Sequence, residues 1–519
     1  MSVMSSKTVQ LCSISTIHQN WIPYASGCII SYCKSIPKIN KQFKFLDPIY
    51  KVGQYNFEGV DILGLTCYIW NQSYNDNLAK SYKEKNPNGK VIYGGPQIPE
   101  DCLLKEEFDN ERPWLDKSII GLGEIAFSEW LLNLPLSGKV LSKLPSPYTD
   151  GIFDNIFNSK GTFKVSFESN RGCPYKCAFC DWGGQAKSKL TIFDQNDVFY
   201  TIDKIYQYSN IKELEILDAN FGILKQDIDI VSYMVSCQEK YNNHIKISYS
   251  GLAKNGSKYL PAILSKIFES FPIDQRNLKV SFQTHTPEVL KTIQRSNIDN
   301  KKLLPLVNEY KKKNIPITSE MIIALPGETA DSWLKTLAYN YEVLGIDHIR
   351  TYILHLVANV PMNTTEYKEK YQIKSKKIKY GHEEVEIIHK CYSFDLNELV
   401  TMFDYHWFFN NLINSNIVKS KSKDIVKECK YFFKSEHPFL DMILNKQRNL
   451  VKRIFEDKTI SVLNDPAEIR FFCASLRTND LELMINNKKT VEKELYPIYG
   501  KLNINWICED SLNAVATIH

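Results

Sequence analysis

The chain has 519 residues, 43% of them hydrophobic and 24% charged, which fits a globular protein with room for two to four domains. A formal net charge of +5 on that length is too small to imply a nucleic-acid partner, and no uninterrupted apolar run approaches the roughly 20 residues of a membrane span. The opening MSVMSSKTVQLCSIS has no charged segment followed by an apolar one, so no secretory signal is expected and a cytoplasmic location is.

From the start of the chain, strands are expected at VQLCSIS (9–15), VDILGLTCYIW (60–70), KVIYGGP (90–96) and KSIIGLG (117–123). Helices are expected at 23–36, 74–86 and 124–134. Apolar strands separated by amphipathic helices predict a parallel sheet covered on both faces, a doubly wound α/β domain over residues 1–145. A stretch with three Pro and two Gly near 135–152 reads as a linker. A second α/β series follows over 155–370, with strands expected at 163–169, 214–220, 245–251, 278–284, 317–325 and 347–355. Six such units fall short of the eight of a closed barrel, so a partial barrel is expected. Beyond it, EEVEIIHKCYSF (383–394) and LNELVTMFDYHWFFNNLI (396–413) predict a helical C-terminal domain over 371–519. The lysine-rich KSKKIK (374–379) and KSKSKD (419–424) read as solvated faces, and the aromatic run FDYHWFF (403–409) as core.

Ten of the thirteen cysteines are scattered singly and read as small buried hydrophobes. Cys173, Cys177 and Cys180 are different. Their C-x3-C-x2-C spacing follows the first barrel strand, and barrel enzymes keep their active sites at that end. The three thiols can converge on one inorganic centre but are too close for unstrained mutual disulfides. Zinc would want a fourth protein ligand, and no second C-x2-C or H-x3-H supplies one. Three thiolates on a 4Fe-4S cluster leave one iron open.

At these residues the chain resembles the radical S-adenosylmethionine superfamily. The resemblance implies that Cys173, Cys177 and Cys180 hold a 4Fe-4S cluster whose open iron binds S-adenosylmethionine, with Phe179 against the adenine. Further segments in the same order extend it. ILDANFGI puts Asp218 and Asn220 at the barrel mouth, and YSGLAKN adds Lys254 and Asn255. SFQTHTPEVLKTIQR places Gln283 toward the ribose, and SEMIIALPGET carries Glu320, which alternation points into the barrel.

Upstream, GLTCYIWN (64–71), VIYGGPQIP (91–99) and GLGEIAF (121–127) end successive strands, where doubly wound sheets bind ligands. In that order, together with WIPYASGCIISY (21–32) and LHLVANVPMNTTEYKEKYQI (354–373), they resemble the cobalamin-binding domain of cobalamin-dependent radical S-adenosylmethionine enzymes. The likeness runs over residues 8–375 and implies Tyr68, Trp70, Asn71, Gly94 and Gly95 as groups near the corrin. The Asp-x-His-x-x-Gly loop of mutase-type domains is absent, so His18 is not expected to ligate cobalt.

What the resemblance implies is a methyltransferase acting on an unactivated carbon, or phosphorus, of a small-molecule or peptide natural product. One S-adenosylmethionine would yield the radical that abstracts hydrogen, methylcobalamin would deliver the methyl group, and a flavodoxin- or ferredoxin-type donor would supply electrons. Three alternatives stay open: a rearrangement or cyclisation with the same cofactors, a cofactor-carrying protein without turnover, and a first domain reduced to scaffold.

Overall fold

The computed structural model describes residues 6–16, 20–136, 146–182, 190–249, 257–271, 278–415, 424–463 and 480–499. Its first unit is a wholly parallel sheet of β1 (Lys7–Cys12), β2 (Phe43–Phe45), β3 (Ile62–Thr66), β4 (Lys90–Gly94) and β5 (Lys117–Ser118), in the order β2-β1-β3-β4-β5. Side chains alternate between two buried layers. Leu11, Ile62 and Ile92 enter one with Ile30 and Phe127, while Cys12, Leu63, Val91 and Tyr93 enter the other with Leu78 and Tyr82. Burial on both faces is why these strands read as unbroken apolar runs. The fifth is shorter than KSIIGLG suggested, and the edge strand at Phe43–Phe45 carried no such run to announce it.

The Pro- and Gly-rich stretch is not a free linker over its second half. Tyr148, Ile152, Phe153 and Phe157 are buried, and the Tyr148 hydroxyl donates to the Ser166 carbonyl at 2.5 Å. This plug seats the first unit on the second. There, β6 (Phe163–Phe167), β9 (Ile211–Ile216) and β10 (Lys246–Tyr249) form one parallel sheet, and β11 (Leu278–Gln283), β12 (Ile317–Ile323) and β13 (His348–Ile353) another. These are the six strands expected of the partial barrel. Strict alternation along β12 and β13 turns Ser319, Met321, Ile349 and Thr351 toward the helices and leaves Glu320, Arg350 and Tyr352 on the opposite, half-buried face. A short antiparallel pair, β7 (Asn170–Arg171) with β8 (Thr191–Ile192), closes the two ends of the cysteine segment.

One expected helix is a strand. EEVEIIHK forms β15 (Glu383–Lys390), the second arm of a hairpin with β14 (Lys374–Tyr380), which β16 (Val462–Leu463) joins in parallel. Gly381, at φ 56°, makes the turn. Lys377 and Lys379 face Glu386 and Glu384 across the ladder, so the lysine-rich patch is one side of a charge-matched hairpin. The remainder is helical: Leu396–Phe408, Ile425–Phe432, Pro438–Glu456, Asp480–Asn486 and Lys488–Tyr499. Phe403, Trp407, Phe408 and Phe409 are core, and Phe408 packs on Phe432. Among the described residues, no helix is long and apolar enough to cross a membrane.

Candidate active site

Cys173, Cys177 and Cys180 are half-buried and form no disulfide, and they alternate with exposed Pro174 and Lys176 on a loop leaving the carboxyl end of β6. Between them the chain is pinned. Ala178, fully buried, donates its N–H to the Ile293 carbonyl at 2.9 Å and accepts from the Met362 N–H at 2.9 Å. Phe179 packs half-buried against the core. Among the described residues, no three His, Cys, Asp or Glu side chains are gathered closely enough for a single metal ion. Three reduced thiols on a loop fixed at both ends are nevertheless the soft donor set that iron–sulfur centres use.

Asp218, at the end of β9, holds the entrance to this loop. Its carboxylate accepts from the backbone N–H groups of Ser169 (2.7 Å) and Asn170 (3.3 Å), from the Ser169 hydroxyl, and from the Asn170 amide (2.6 Å). Burial pushes the carboxyl up to about 8, against donors that favour the ionised form. The sequence offered Asp218 as a cofactor contact; here its capacity is spent on the segment that launches the cysteines. Asp218→Asn is therefore expected to destabilise the fold by about 2–3 kcal/mol, because either orientation of the amide sets its NH2 against a donor. Thermal unfolding measures this, and wild-type stability in the variant would refute it. Asn220 is buried in the same turn, while Lys254 and Asn255 lie outside the described residues.

The ends of β11 and β12 carry two non-glycine residues in the left-handed region, Gln283 (φ 71°) and Ala324 (φ 70°). Such strain persists only where the surroundings impose it, and it gathers at ligand sites. Gln283 follows a register shift after Ser281 and is nearly buried. Glu320 pairs with Lys279 at 2.7 Å and accepts from Ser281 (2.6 Å) and Tyr352 (3.2 Å). Against the pull of burial, Lys279 and Ser281 hold its carboxyl below the ordinary value.

In the first unit, Tyr68 and Trp70 stack face to face on the loop after β3, with centroids 4.5 Å apart and planes within 6°. Asn71 beneath them is fully buried. Its amide donates to the Ile14 (2.9 Å) and Thr66 (3.0 Å) carbonyls and accepts from the Tyr68 N–H at 2.8 Å. It shapes the loop that carries Tyr68 and Trp70, and its amide is taken up by that loop's surroundings. Gly95, at φ 105°, has a similar explanation: a Cβ there would sit 2.7 Å from the Cys67 carbonyl oxygen. The glycine lets the loops after β3 and β4 close on each other. A Cβ at Gly94 would meet nothing nearer than the Ile119 side chain at 3.4 Å. His18 lies outside the described residues.

The two loop sets face each other. Asn359, in the segment after β13, accepts from the Glu100 N–H (2.9 Å) and donates to the Pro96 and Ile98 carbonyls (2.9 Å each), all on the loop after β4. Three residues on, Met362 holds Ala178 of the cysteine loop. Arg171, two residues before Cys173, reaches back to Glu124 of the first unit at 3.2 Å while pairing with Glu168 at 2.6 Å. Burial, joined by the Glu168 charge, pushes the Tyr68 hydroxyl up to about 12. Burial and the charge of Glu100 push Asp181, next to Cys180, up to about 6. Each charge is felt across the boundary between the units. Sequence reading gave Arg171, Glu124, Asn359 and Arg295 no role. Only Arg171 carried a signal, a charge with Glu168 three residues before it beside the cysteines.

Residues 167–339 match the model of the radical SAM superfamily. The cobalamin-dependent radical SAM methyltransferase TokK of Streptomyces tokunonensis is 29% identical over 393 residues, 68% of this chain and 56% of that protein. The 2-(S-pantetheinyl)-carbapenam-3-carboxylate methyltransferase of Streptantibioticus cattleyicolor is 28% identical over 381 residues, 67% of this chain and 55% of that protein. The chain thus spans about half the length of these curated relatives. The structure of OxsB, a cobalamin-dependent S-adenosylmethionine radical enzyme with aqua-cobalamin and S-adenosylmethionine bound, superposes with a TM-score of 0.56 at 14% identity. It covers 99% of this chain and 83% of its own. TsrM from Kitasatospora setae, a radical S-adenosylmethionine methyltransferase with cobalamin and a 4Fe-4S cluster bound, gives 0.51 at 13%, over 71% and 77%. Both solved structures share the fold.

Proposed function

We propose that this chain, a radical SAM protein, is a cobalamin-dependent methyltransferase that acts on an unactivated carbon, or phosphorus, of a small-molecule or peptide natural product. The observation that carries the reading is the tie between the two loop sets: Asn359 and Met362, three residues apart, bind the loop after β4 and the cysteine loop to one segment. A reaction that used only one of the two half-sites would need no such tie. In the proposed holoenzyme the cluster supplies the electron that splits S-adenosylmethionine, and cobalamin supplies the methyl group.

The residues of this chain do the rest. Cys173, Cys177 and Cys180 would hold the cluster, Phe179 would lie against the adenine, Gln283 would approach the ribose from the end of β11, and Glu320 would face the barrel interior from β12. The stacked Tyr68 and Trp70 offer a flat apolar platform for a corrin, with the Gly94–Gly95 backbone beside it. Closure by the third unit, whose turn residue His382 packs edge-on to Tyr74 at 5.5 Å, would keep water from reactive species. A flavodoxin- or ferredoxin-type donor and a cytoplasmic setting belong to the same reading. The carbapenam relative makes small bicyclic carboxylates the first substrates to try.

The test is anaerobic purification with iron, sulfide and cobalamin analysis, followed by mass spectrometry of products. A gain of one methylene unit supports methyl transfer; an isomer of unchanged mass supports rearrangement instead. Protein that takes up no cobalamin under any condition would leave the first unit as scaffold. His18→Ala is expected to leave the spectrum of the bound corrin as it was, since its surrounding sequence lacks the Asp and Gly of histidine-ligating loops. A large spectral change would make His18 a cobalt ligand.

A further inference from the structure

The short helix Pro287–Thr292 ends in an unusual way. Ile293 is buried, Gln294 takes the left-handed conformation at φ 52°, and Arg295 donates its N–H back to Leu290 at 2.9 Å. A non-glycine residue at positive φ carries a cost of order 1 kcal/mol, which something else in the structure must hold in place. What the turn achieves is delivery. It aims the Ile293 carbonyl at the Ala178 N–H, and it aims the Arg295 side chain at the other side of the same loop.

The guanidinium of Arg295 is held from three directions. Nε donates to Asn297 Oδ1 at 3.1 Å, Nη2 donates to the Ser281 carbonyl, and Nη1 reaches Cys177 Sγ at 3.7 Å. Asn297 is itself fixed, its amide donating to the Thr284 carbonyl at 2.8 Å. The first two bonds are to neutral acceptors, the Ser281 carbonyl of β11 and an Asn297 side chain tied to the residue after that strand, and they lock the planar fork so that the remaining N–H points at sulfur. Arginine holds its charge at any physiological pH, and its fork is stiff enough to satisfy all three partners at once. A lysine has its donors on a single nitrogen and lacks the spread of this fork.

We propose that Arg295 is a positioning residue that acts through Cys177, anchoring the cysteine loop to the barrel wall and easing one-electron reduction of the centre the loop carries. This rests on the iron–sulfur reading given above. Reduction adds a negative charge to a cluster whose core is bound by thiolates. A cation and an N–H···S hydrogen bond at one of those thiolates stabilise the reduced form more than the oxidised one. The structure assigns this role to Arg295 because it combines a permanent charge, a donor on a ligand sulfur and a rigid seat.

The experiment is an EPR-monitored redox titration of the reconstituted full-length protein, comparing the unaltered chain with Arg295→Met and Arg295→Gln. Methionine removes charge and donors at similar volume; glutamine keeps a neutral donor and removes the charge. Both variants are expected to bind iron and to have a lower midpoint. The expected change is at least tenfold in the equilibrium between oxidised and reduced cluster, about 59 mV for a one-electron couple. An unchanged midpoint in a variant with full iron overturns the proposal. Loss of all iron from both variants also overturns it, leaving Arg295 a purely structural anchor. Failure of the unaltered protein to form a 4Fe-4S centre is a separate outcome, which removes the iron–sulfur reading and this inference with it.

Discussion

Alanine at any one of Cys173, Cys177 or Cys180 is expected to leave the reconstituted protein without a 4Fe-4S centre and without cleavage of S-adenosylmethionine. The loop offers three thiols and no substitute. Neighbouring positions are Pro, Tyr, Lys, Ala and Phe, none of which binds iron in such a centre. Among the described cysteines elsewhere, Cys12, Cys28, Cys33, Cys67, Cys237, Cys391 and Cys429 are buried in packed cores, and Cys102 is exposed on the first unit, away from the loop in sequence. Burial pushes the Cys33 and Cys67 thiols up to about 12, so they stay protonated at neutral pH, and a thiol is no ligand until it ionises. The contrast gives the control. Cys391→Ala, in the third unit, should keep its iron and its cleavage activity. Iron and sulfide per chain, with the EPR signal of the reduced protein, decide the matter. Full iron content in any of the three loop variants would take the assignment away.

The cysteine loop was legible because its pattern is local: three cysteines within eight residues need no fold to be recognised. The parallel strands were legible for a related reason, since burial on both faces leaves an apolar run in the sequence itself. The failures are equally physical. In EEVEIIHK the apolar residues Val385, Ile387 and Ile388 suit a helical stripe and a strand face alike. What favours the strand is the pairing of Lys377 and Lys379 with Glu386 and Glu384 across a Gly381 turn, which no window centred on the segment weighs. Tyr148 sat in a stretch whose Pro and Gly content spoke louder than its one aromatic ring, yet it is fully packed. Asn71 and Gly95 were recognised as special, but the structural reason for each was not legible. The amide and the missing side chain serve the loop's own backbone, and sequence alone cannot separate a residue that touches a ligand from one that shapes the residue that does. Arg295 and Asn359 were invisible because their partners lie 118 and about 260 residues away.

Asn359 gives the second large prediction, because it separates assembly from coupling. Its amide makes three hydrogen bonds to the loop after β4, in a part-exposed setting where water can replace each of them. Asn359→Ala should thus cost only about 1–3 kcal/mol of stability, and each half-site should still load its own cofactor, since no residue of either set is altered. What the substitution releases is the distance between the loops. Radical methyl transfer requires one substrate carbon to stand within reach of both the 5'-carbon of S-adenosylmethionine and the methyl group on cobalt. Misplacement of reacting groups by about 1 Å can lower such a rate roughly a hundredfold. The expected result is continued formation of 5'-deoxyadenosine with a fall of at least tenfold in methylated product per cleavage. Measuring both products in one anaerobic reaction, with iron and cobalamin loading confirmed first, makes the ratio independent of how much enzyme is active. If the ratio stays at the wild-type value, the Asn359 tie has no part in coupling, and the observation on which the methyltransferase reading chiefly rests loses its force.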